Sequence, residues 1–384
     1  MSNPRNHPTY GVCANKLVKN GKTSSGRTRW RCQPCGASAT QARADITRKA
    51  VFQAFLNWLL GTARLTEQAQ SIATFRRRTQ WCWNVTAQVS PTGKIHDQIM
   101  LDGTYFNGWC VLIAYTGEYV IDWQWCDREK IASWTALLCR IPASTVAVID
   151  GNGPLIATVQ NLWPQSRIQR CYFHVRQAGH KHLTRHPRLP ANRDLLNLYK
   201  ALPRVTSLDE AAAFASWEAS WEPFLKHRTY AASAAPRPKY ARPGQKWWYT
   251  HIRTRRAGRL LAELIQDSHL FTWLELTESG LTVARATSTL EGGPNKAIKD
   301  FLRAHRGLSI DHARRGIDWL LYLQTETPND PWSFVTPEAW EYNRKHTVIV
   351  DSGSGRDETN RLYGTGFSIE DGNGIQKGWG GRSR

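Results

Sequence analysis

Residues 98–126, QIMLDGTYFNGWCVLIAYTGEYVIDWQWC, constrain the fold more than any other stretch. Their apolar and β-branched runs are cut at Asn107-Gly108 and Thr116-Gly117, and both cuts carry residues that hairpin turns demand. The spacing predicts three antiparallel strands. The period then changes: a helix near 129–140, a short buried strand STVAVIDG over 144–151, a helix over about 153–162, and a strand SRIQRCYF over 166–173. Hairpin strands followed by strand–helix alternation imply an α/β chain built on a mixed sheet with helices on both faces.

The flanks are of another kind. Of the net charge of +20, residues 1–96 hold 15 Lys/Arg against 2 Asp/Glu, and residues 176–259 hold 17 against 5. Residues 97–175 hold 5 against 7, and residues 260–384 hold 14 against 17, so two segments carry the whole excess. A generally basic surface would not partition this way. A polyanion partner does explain it, because neutralising phosphates releases counterions. No run of 18 apolar residues and no charged-then-apolar leader occurs, so the expectation is a soluble, cytoplasmic protein without a membrane span.

Within the first basic segment, Cys13 and Cys32-x2-Cys35 flank a basic hairpin-like stretch. This is the outline of a zinc ribbon with one ligand missing, since Tyr10 stands where a fourth cysteine would. Two readings stand: His7 completes a Zn2+ site, or the module is a basic arm without metal. Apolar residues at Val51, Phe52, Phe55, Leu56, Leu59 and Leu60 predict a helix over 45–60, and Thr66 and Thr74 stand as N-caps of two more. That outlines a helix–turn–helix, with Arg76, Arg77 and Arg78 in the first turns of a DNA-reading helix. A three-helix bundle without DNA function has the same outline. After His174 the chain reads helical and basic; Ser207-x-x-Glu210 is a capping box, and Phe214, Trp217, Trp221 and Leu225 share one face. Trp247-Trp248 reads as a hydrophobic plug or as a platform for unpaired bases.

Asp102 lies at the expected end of the first strand and Asp150 at the end of VAVID. In the predicted sheet these strands are neighbours, so the carboxylates meet at one edge. Such a pair repels unless a cation lies between its members, which favours Mg2+ or Mn2+ held by carboxylates and substrate phosphates. Two such ions support in-line phosphoryl transfer. The competing reading is that each Asp-Gly is only a turn. Glu291 is the candidate third ligand, although Ser288-x-x-Glu291 also matches a capping box. Pro294 weakens the capping-box reading, since it fits a first helical turn better than an interior. Lys296, Lys299, Arg303 and Arg306 form a basic stripe opposite Ile298, Phe301 and Leu302. Cys171 and His174 end the strand after Asp150; His174 is read either as a contact to the scissile phosphate or as a satisfied histidine beside a buried cysteine.

LDGTYF around Asp102, VIDGNG around Asp150, Cys171-x2-His174, and TSTLEGGPN with HRGLS around Glu291 together resemble the Mutator-like insertion-sequence transposases of bacteria, over about residues 10–325 and in the right order. The resemblance implies a DDE triad of Asp102, Asp150 and Glu291 on a ribonuclease-H-like fold with an all-helical insertion. It also implies an N-terminal zinc ribbon and helix–turn–helix for the terminal repeats. This chain departs from that pattern at Tyr10 and Pro294.

The expected organisation is a zinc-ribbon-like module at 1–40, a helix–turn–helix at 45–90, the catalytic core at 97–175 and 281–325, a basic helical insertion at 176–280, and an extension at 326–384, mobile from about 351. The expected activity is Mg2+-dependent cleavage and strand transfer on double-stranded DNA, by a homodimer or higher assembly associated with the nucleoid. A DNA-binding repressor of the same family and a nuclease without strand transfer are the competing readings.

Overall fold

The computed structural model describes residues 15–24, 26–40, 44–61, 71–232 and 236–340. His7, Tyr10, Cys13, Thr66 and the segment from 351 lie outside these residues, so the expectations of a fourth zinc ligand, of an N-cap at Thr66 and of a mobile tail fall outside the described residues. The described chain forms two compact units. One joins the segments up to 88 with 300–323 and those from 327; the other comprises 89–299 with 324–326. The division falls at 299/300. No helix among the described residues is long and apolar enough to cross a membrane.

In the first unit, β1 (Leu17–Lys22), β2 (Thr28–Cys32) and β3 (Ser38–Thr40) form an antiparallel sheet in chain order. Cys32 is buried at the end of β2, and Cys35 is exposed in the turn that follows. Helix α1 (Ala44–Leu60) buries Phe52, Phe55 and Leu59, and Phe52 meets Trp319 of the helix Ile310–Tyr322 edge-on at 5.6 Å. Helix α2 (Ile72–Thr79) starts at Ser71, whose Oγ accepts from the Thr74 amide at 3.3 Å. The sequence reading set this start at Thr74. Ser71 takes it because its hydroxyl reaches the amide three residues on, which leaves Thr74 inside the helix. Arg76, Arg77 and Arg78 are exposed, but they occupy the last turn of an eight-residue helix rather than its first turns.

The second unit holds a five-stranded mixed sheet of β4 (Gln98–Phe106), β5 (Trp109–Tyr115), β6 (Val120–Cys126), β7 (Val146–Ile149) and β8 (Arg167–Arg170), ordered β6-β5-β4-β7-β8. Strands β4 to β6 are antiparallel, and Asn107 and Gly108 turn the first hairpin with φ of 44° and 81°, the left-handed values such a turn needs. Strand β7 joins β4 in parallel, and β8 joins β7 in parallel. Between them run α3 (Ile131–Leu138) and α4 (Gly153–Leu162). These helices bury Trp134, Leu137, Leu155 and Val159 against Ile99, Leu101, Leu112, Ala147 and Ile149 of one sheet face. The sequence thus specifies the sheet and both crossover helices to within a few residues.

Beyond β8 come α5 (Tyr172–His182), α6 (Pro190–Ala201), α7 (Leu208–Lys226), α8 (Ile252–Gln266) and α9 (Thr272–Glu278). The expected cap of α7 forms, with the Glu210 amide donating to Ser207 Oγ at 3.2 Å. The insertion is not all helical, however: β9 (Arg228–Tyr230) pairs antiparallel with β10 (Trp247–Tyr249). The chain then returns through α10 (Ser288–Gly292) and α11 (Pro294–Ala304). Because Trp134 is fully buried between helix and sheet, Trp134→Ala is expected to cost about 3–5 kcal/mol in urea unfolding, with the transition still cooperative.

Candidate active site

Parallel pairing of β4 with β7 runs from Gln98↔Val146 to Leu101↔Ile149. Asp102 and Asp150 are each the next residue, so both carboxylates follow directly on the last paired rung. Asp102 lies mid-strand in β4 rather than at its end, still paired with Ile113 of β5. The expected juxtaposition holds because β4 outruns its parallel neighbour.

The Asp-Gly pairs are not left-handed turns: neither Gly103 nor Gly151 has a positive φ. Each glycine is there for what presses on it. A Cβ on Gly103 would lie 2.7 Å from Glu129 Oε1, and one on Gly151 would lie 2.0 Å from Arg170 Nη2. Glu129, buried just before α3, also accepts from Asn152 Nδ2 at 2.6 Å. Asn152 in turn donates its amide to Asp150 Oδ1 at 2.8 Å and caps α4 through Leu155 N. Arg170 Nε donates to the Asp150 carbonyl at 2.6 Å. A buried carboxyl therefore stands behind Asp102, and a half-buried guanidinium behind Asp150. The sequence reading missed both; a small residue after each aspartate was the only trace they left.

Cys171 and His174 do not end a strand. Cys171 continues the β8 ladder, its amide donating to the Ile149 carbonyl at 2.7 Å, and serves as N-cap of α5. His174 is one turn into that helix. The thiol accepts from the Thr287 amide at 3.4 Å and Thr287 Oγ1 at 3.3 Å, and that hydroxyl lies 3.1 Å from Glu291 Oε1. His174 Nε2 is 3.9 Å from the same Glu291 oxygen. The Ser288 capping box does not form; Thr287 is the N-cap, and α10 ends at Gly292. Pro294 then opens α11 as its first residue, which its missing N–H suits. The next residue, Asn295, is buried and donates Nδ2 to Asp102 Oδ2 at 2.8 Å, a contact the sequence reading did not anticipate.

The basic stripe is shorter than expected. Lys296 is exposed on α11, Arg303 pairs with Asp300 at 2.7 Å, and Arg306 lies beyond the helix end. Lys296 and Lys299 belong to the unit of the sheet, Arg303 and Arg306 to the other.

These distances set the electrostatics. Burial, then the neighbouring Asp150 charge, pushes Asp102 up to about 7, with Glu291 adding to the rise and His174 opposing it. Glu129 is held well above the carboxylate range by burial and by both aspartates. Burial opposes the charge on His174, yet Cys171, Asp150 and Asp102 outweigh it and raise the imidazole to about 9. The same contact lowers the Cys171 thiol against the effect of burial. The site is thus a cluster of carboxyl groups with the His174 imidazole, its proton affinity raised, beside them.

Donor atoms of Cys171, His174 and Glu291 lie within 4.8 Å of one another, a group able to hold a metal ion. Asp102 and Asp150 are not in that group, though both act electrostatically on His174. The N-terminal module presents the Cys32–Cys35 pair. No protein-family model and no curated protein matches the chain.

Two outcomes follow from this geometry. Gly151→Ala should cost about 1–3 kcal/mol as a close-packed insertion against Arg170. In a double-mutant cycle with Arg170→Ser, the two losses should fall short of additive, because the clash partner is gone. The second concerns pH. Asp102 binds its proton more tightly folded (about 7) than unfolded (3.8), so metal-free stability falls as pH rises through that interval. Thermal melts in EDTA at pH 5 and pH 8 should show a loss of order 2 kcal/mol in the wild type. That loss should be smaller in Asp102→Asn, where His174 and Glu129, also raised in the folded state, still contribute over the same interval.

Proposed function

We propose that this chain is a DNA transposase of the insertion-sequence type, which binds element ends, cleaves a strand and joins the freed end to target DNA. The observation that carries the reading is the juxtaposition of Asp102 and Asp150 beyond one parallel ladder, with Glu291 linked to the same pocket through His174. The strand order, three antiparallel strands followed by two parallel to the first, supports a ribonuclease-H-like core. An acidic pocket inside a chain of formal charge +20 also favours DNA as substrate, since the excess base flanks the carboxylates rather than mixing with them.

The donor set suits hard divalent ions. Asp102, Asp150 and Glu291 offer oxygens only, and the raised proton affinity of Asp102 is what cation binding would relieve. Two Mg2+ or Mn2+ ions held by these three residues would supply charge neutralisation at the scissile phosphate and a more acidic attacking hydroxyl. Asn295 fixes one oxygen of Asp102, Arg170 and Asn152 fix the Asp150 turn, and Thr287 orients Glu291. His174, cationic at neutral pH, faces the phosphate that the carboxylates alone would repel. Cys171 is engaged with Thr287 and His174, so we assign it to holding α5 against α10 rather than to the ions. End recognition falls to the first unit, through Arg76, Arg77 and Arg78 on α2 and the basic strands β1 and β2. Zn2+ at Cys32 and Cys35 belongs to the same reading, as does a dimer that brings two ends together.

Asp150→Asn tests the proposal on labelled element-end DNA with Mg2+. Strand cleavage and strand transfer should both fall at least about a hundredfold, the upper end of what losing only an outer-shell partner of a metal site costs, while end binding and the melting temperature stay within error. Cleavage at the wild-type rate would remove Asp150 from the site. A wild-type protein that binds ends but never cleaves would leave the repressor reading, and cleavage without joining of a pre-cut end would leave the nuclease.

A further inference from the structure

We propose that the β9–β10 hairpin of the insertion is a binding surface for an unpaired DNA strand. The inference rests on DNA being the substrate but not on the chemistry at Asp102, Asp150 and Glu291. Residues 226–256 contain nine Lys/Arg and no Asp/Glu. Some of these bases have structural work: Lys226 pairs with Glu222 at 2.5 Å, Arg237 donates to the carbonyls of Arg242 and Gln245, and Arg253 donates to the Lys181 carbonyl at 2.9 Å. The hairpin itself is organised differently.

Alternation along two paired strands sorts its side chains by face. Trp248 turns inward and is buried, with its register partner Thr229 half-buried on the same side. Arg228, Tyr230, Trp247 and Tyr249 fall on the other face. There the Arg228 guanidinium lies 4.0 Å from the Trp247 ring centroid, and the Arg255 guanidinium 4.1 Å from that of Tyr249. The Trp247 and Tyr249 rings meet edge-on at 5.3 Å. Tyr230, directly across from Trp247, is 57% exposed, and Arg228 on the same face is exposed as well.

One tryptophan suffices to anchor a three-residue ladder, and it is the one that points in. Three further rings lie on the outer face, interleaved with guanidinium groups. They do match what a single strand needs. Unpaired bases stack on aromatic and guanidinium planes of any sequence context, while Lys and Arg track the phosphates. A duplex keeps its base faces stacked inside and presents only edges and backbone, so it would use the charge but not the rings. An acidic peptide would likewise use only the charge.

Anisotropy titrations of the full chain with labelled dT20, a 20-base-pair duplex and polyglutamate as competitor test this. Tyr230→Ser should weaken dT20 binding about tenfold and leave duplex binding unchanged. Arg228→Gln should lower the slope of log K against log salt by about 0.7, the value of one single-strand phosphate contact. Both side chains are exposed, so melting temperatures should not move. Asp150→Asn should bind dT20 like the wild type, which keeps failure of the catalytic reading apart from failure here. The proposal is overturned if Tyr230→Ser leaves dT20 affinity unchanged, if it weakens duplex binding equally, or if polyglutamate of equal charge competes as well as dT20.

Discussion

Four rungs of parallel pairing between β4 and β7 bring two aspartates to one edge of the sheet, and the pocket around them is a response to that repulsion. Hydrogen bonds in the ladder fix the strands too firmly for the carboxylates to separate. The chain instead distributes compensating groups around them. Asn295 donates to one, backbone amides at Gly151 and Asn152 donate to the other, and His174 gains enough proton affinity to stay charged near neutrality. What remains uncompensated appears as the raised proton affinity of Asp102. A fold built only for stability has no need of that imbalance, which marks the aspartate pair as a candidate functional site.

The neighbours behind the two aspartates sharpen the point. Glu129 is buried against Gly103 and held above the carboxylate range, so it stands there as a neutral carboxyl, whereas the half-buried Arg170 presses on Gly151 and brings positive charge beside Asp150. The pair is therefore asymmetric: Asp150 has a cation behind it and Asp102 does not. Glu129 and Arg170 both reach the Asp150 turn, one through Asn152 and the other through the backbone carbonyl. Because each needs a glycine to come so close, the Asp-Gly pairs are products of packing and not of turn geometry.

Local signals explain which features were legible. The hairpin strands, the crossover helices and the carboxylate pair follow from alternation, turn residues and strand ends within a few positions, and the structure has them there. The α10–α11 break was half legible: Pro294 announced a helix start, but Thr287 rather than Ser288 stands at the N-cap position, its hydroxyl engaged with Cys171 and Glu291 and not with the helix amides. Long-range partners left little trace. Glu129, Arg170 and Asn295 reach the pocket only once the sheet has formed, so no window of sequence contains their reason. The same holds for β9 and β10, three residues each and separated by 16, too short for a period to show. His174 was misread as a strand end because β8 stops after four residues and Cys171 already caps a helix.

The helix break also accounts for how one glutamate can belong to the pocket while its helix carries bases. If Ser288 to Ala304 were one continuous helix, Glu291 and Asn295, four residues apart, would lie on a single face. Ending α10 at Gly292 and restarting at Pro294 frees the two residues from that constraint. Glu291 stays with Thr287 and His174, Asn295 reaches Asp102, and Ile298 is buried while Lys296 turns out to solvent. Gly292-Gly293-Pro294 is thus the joint that allows two consecutive short helices to address two different carboxylate neighbours. A third acidic residue can then be delivered beside a pair that would otherwise reject it.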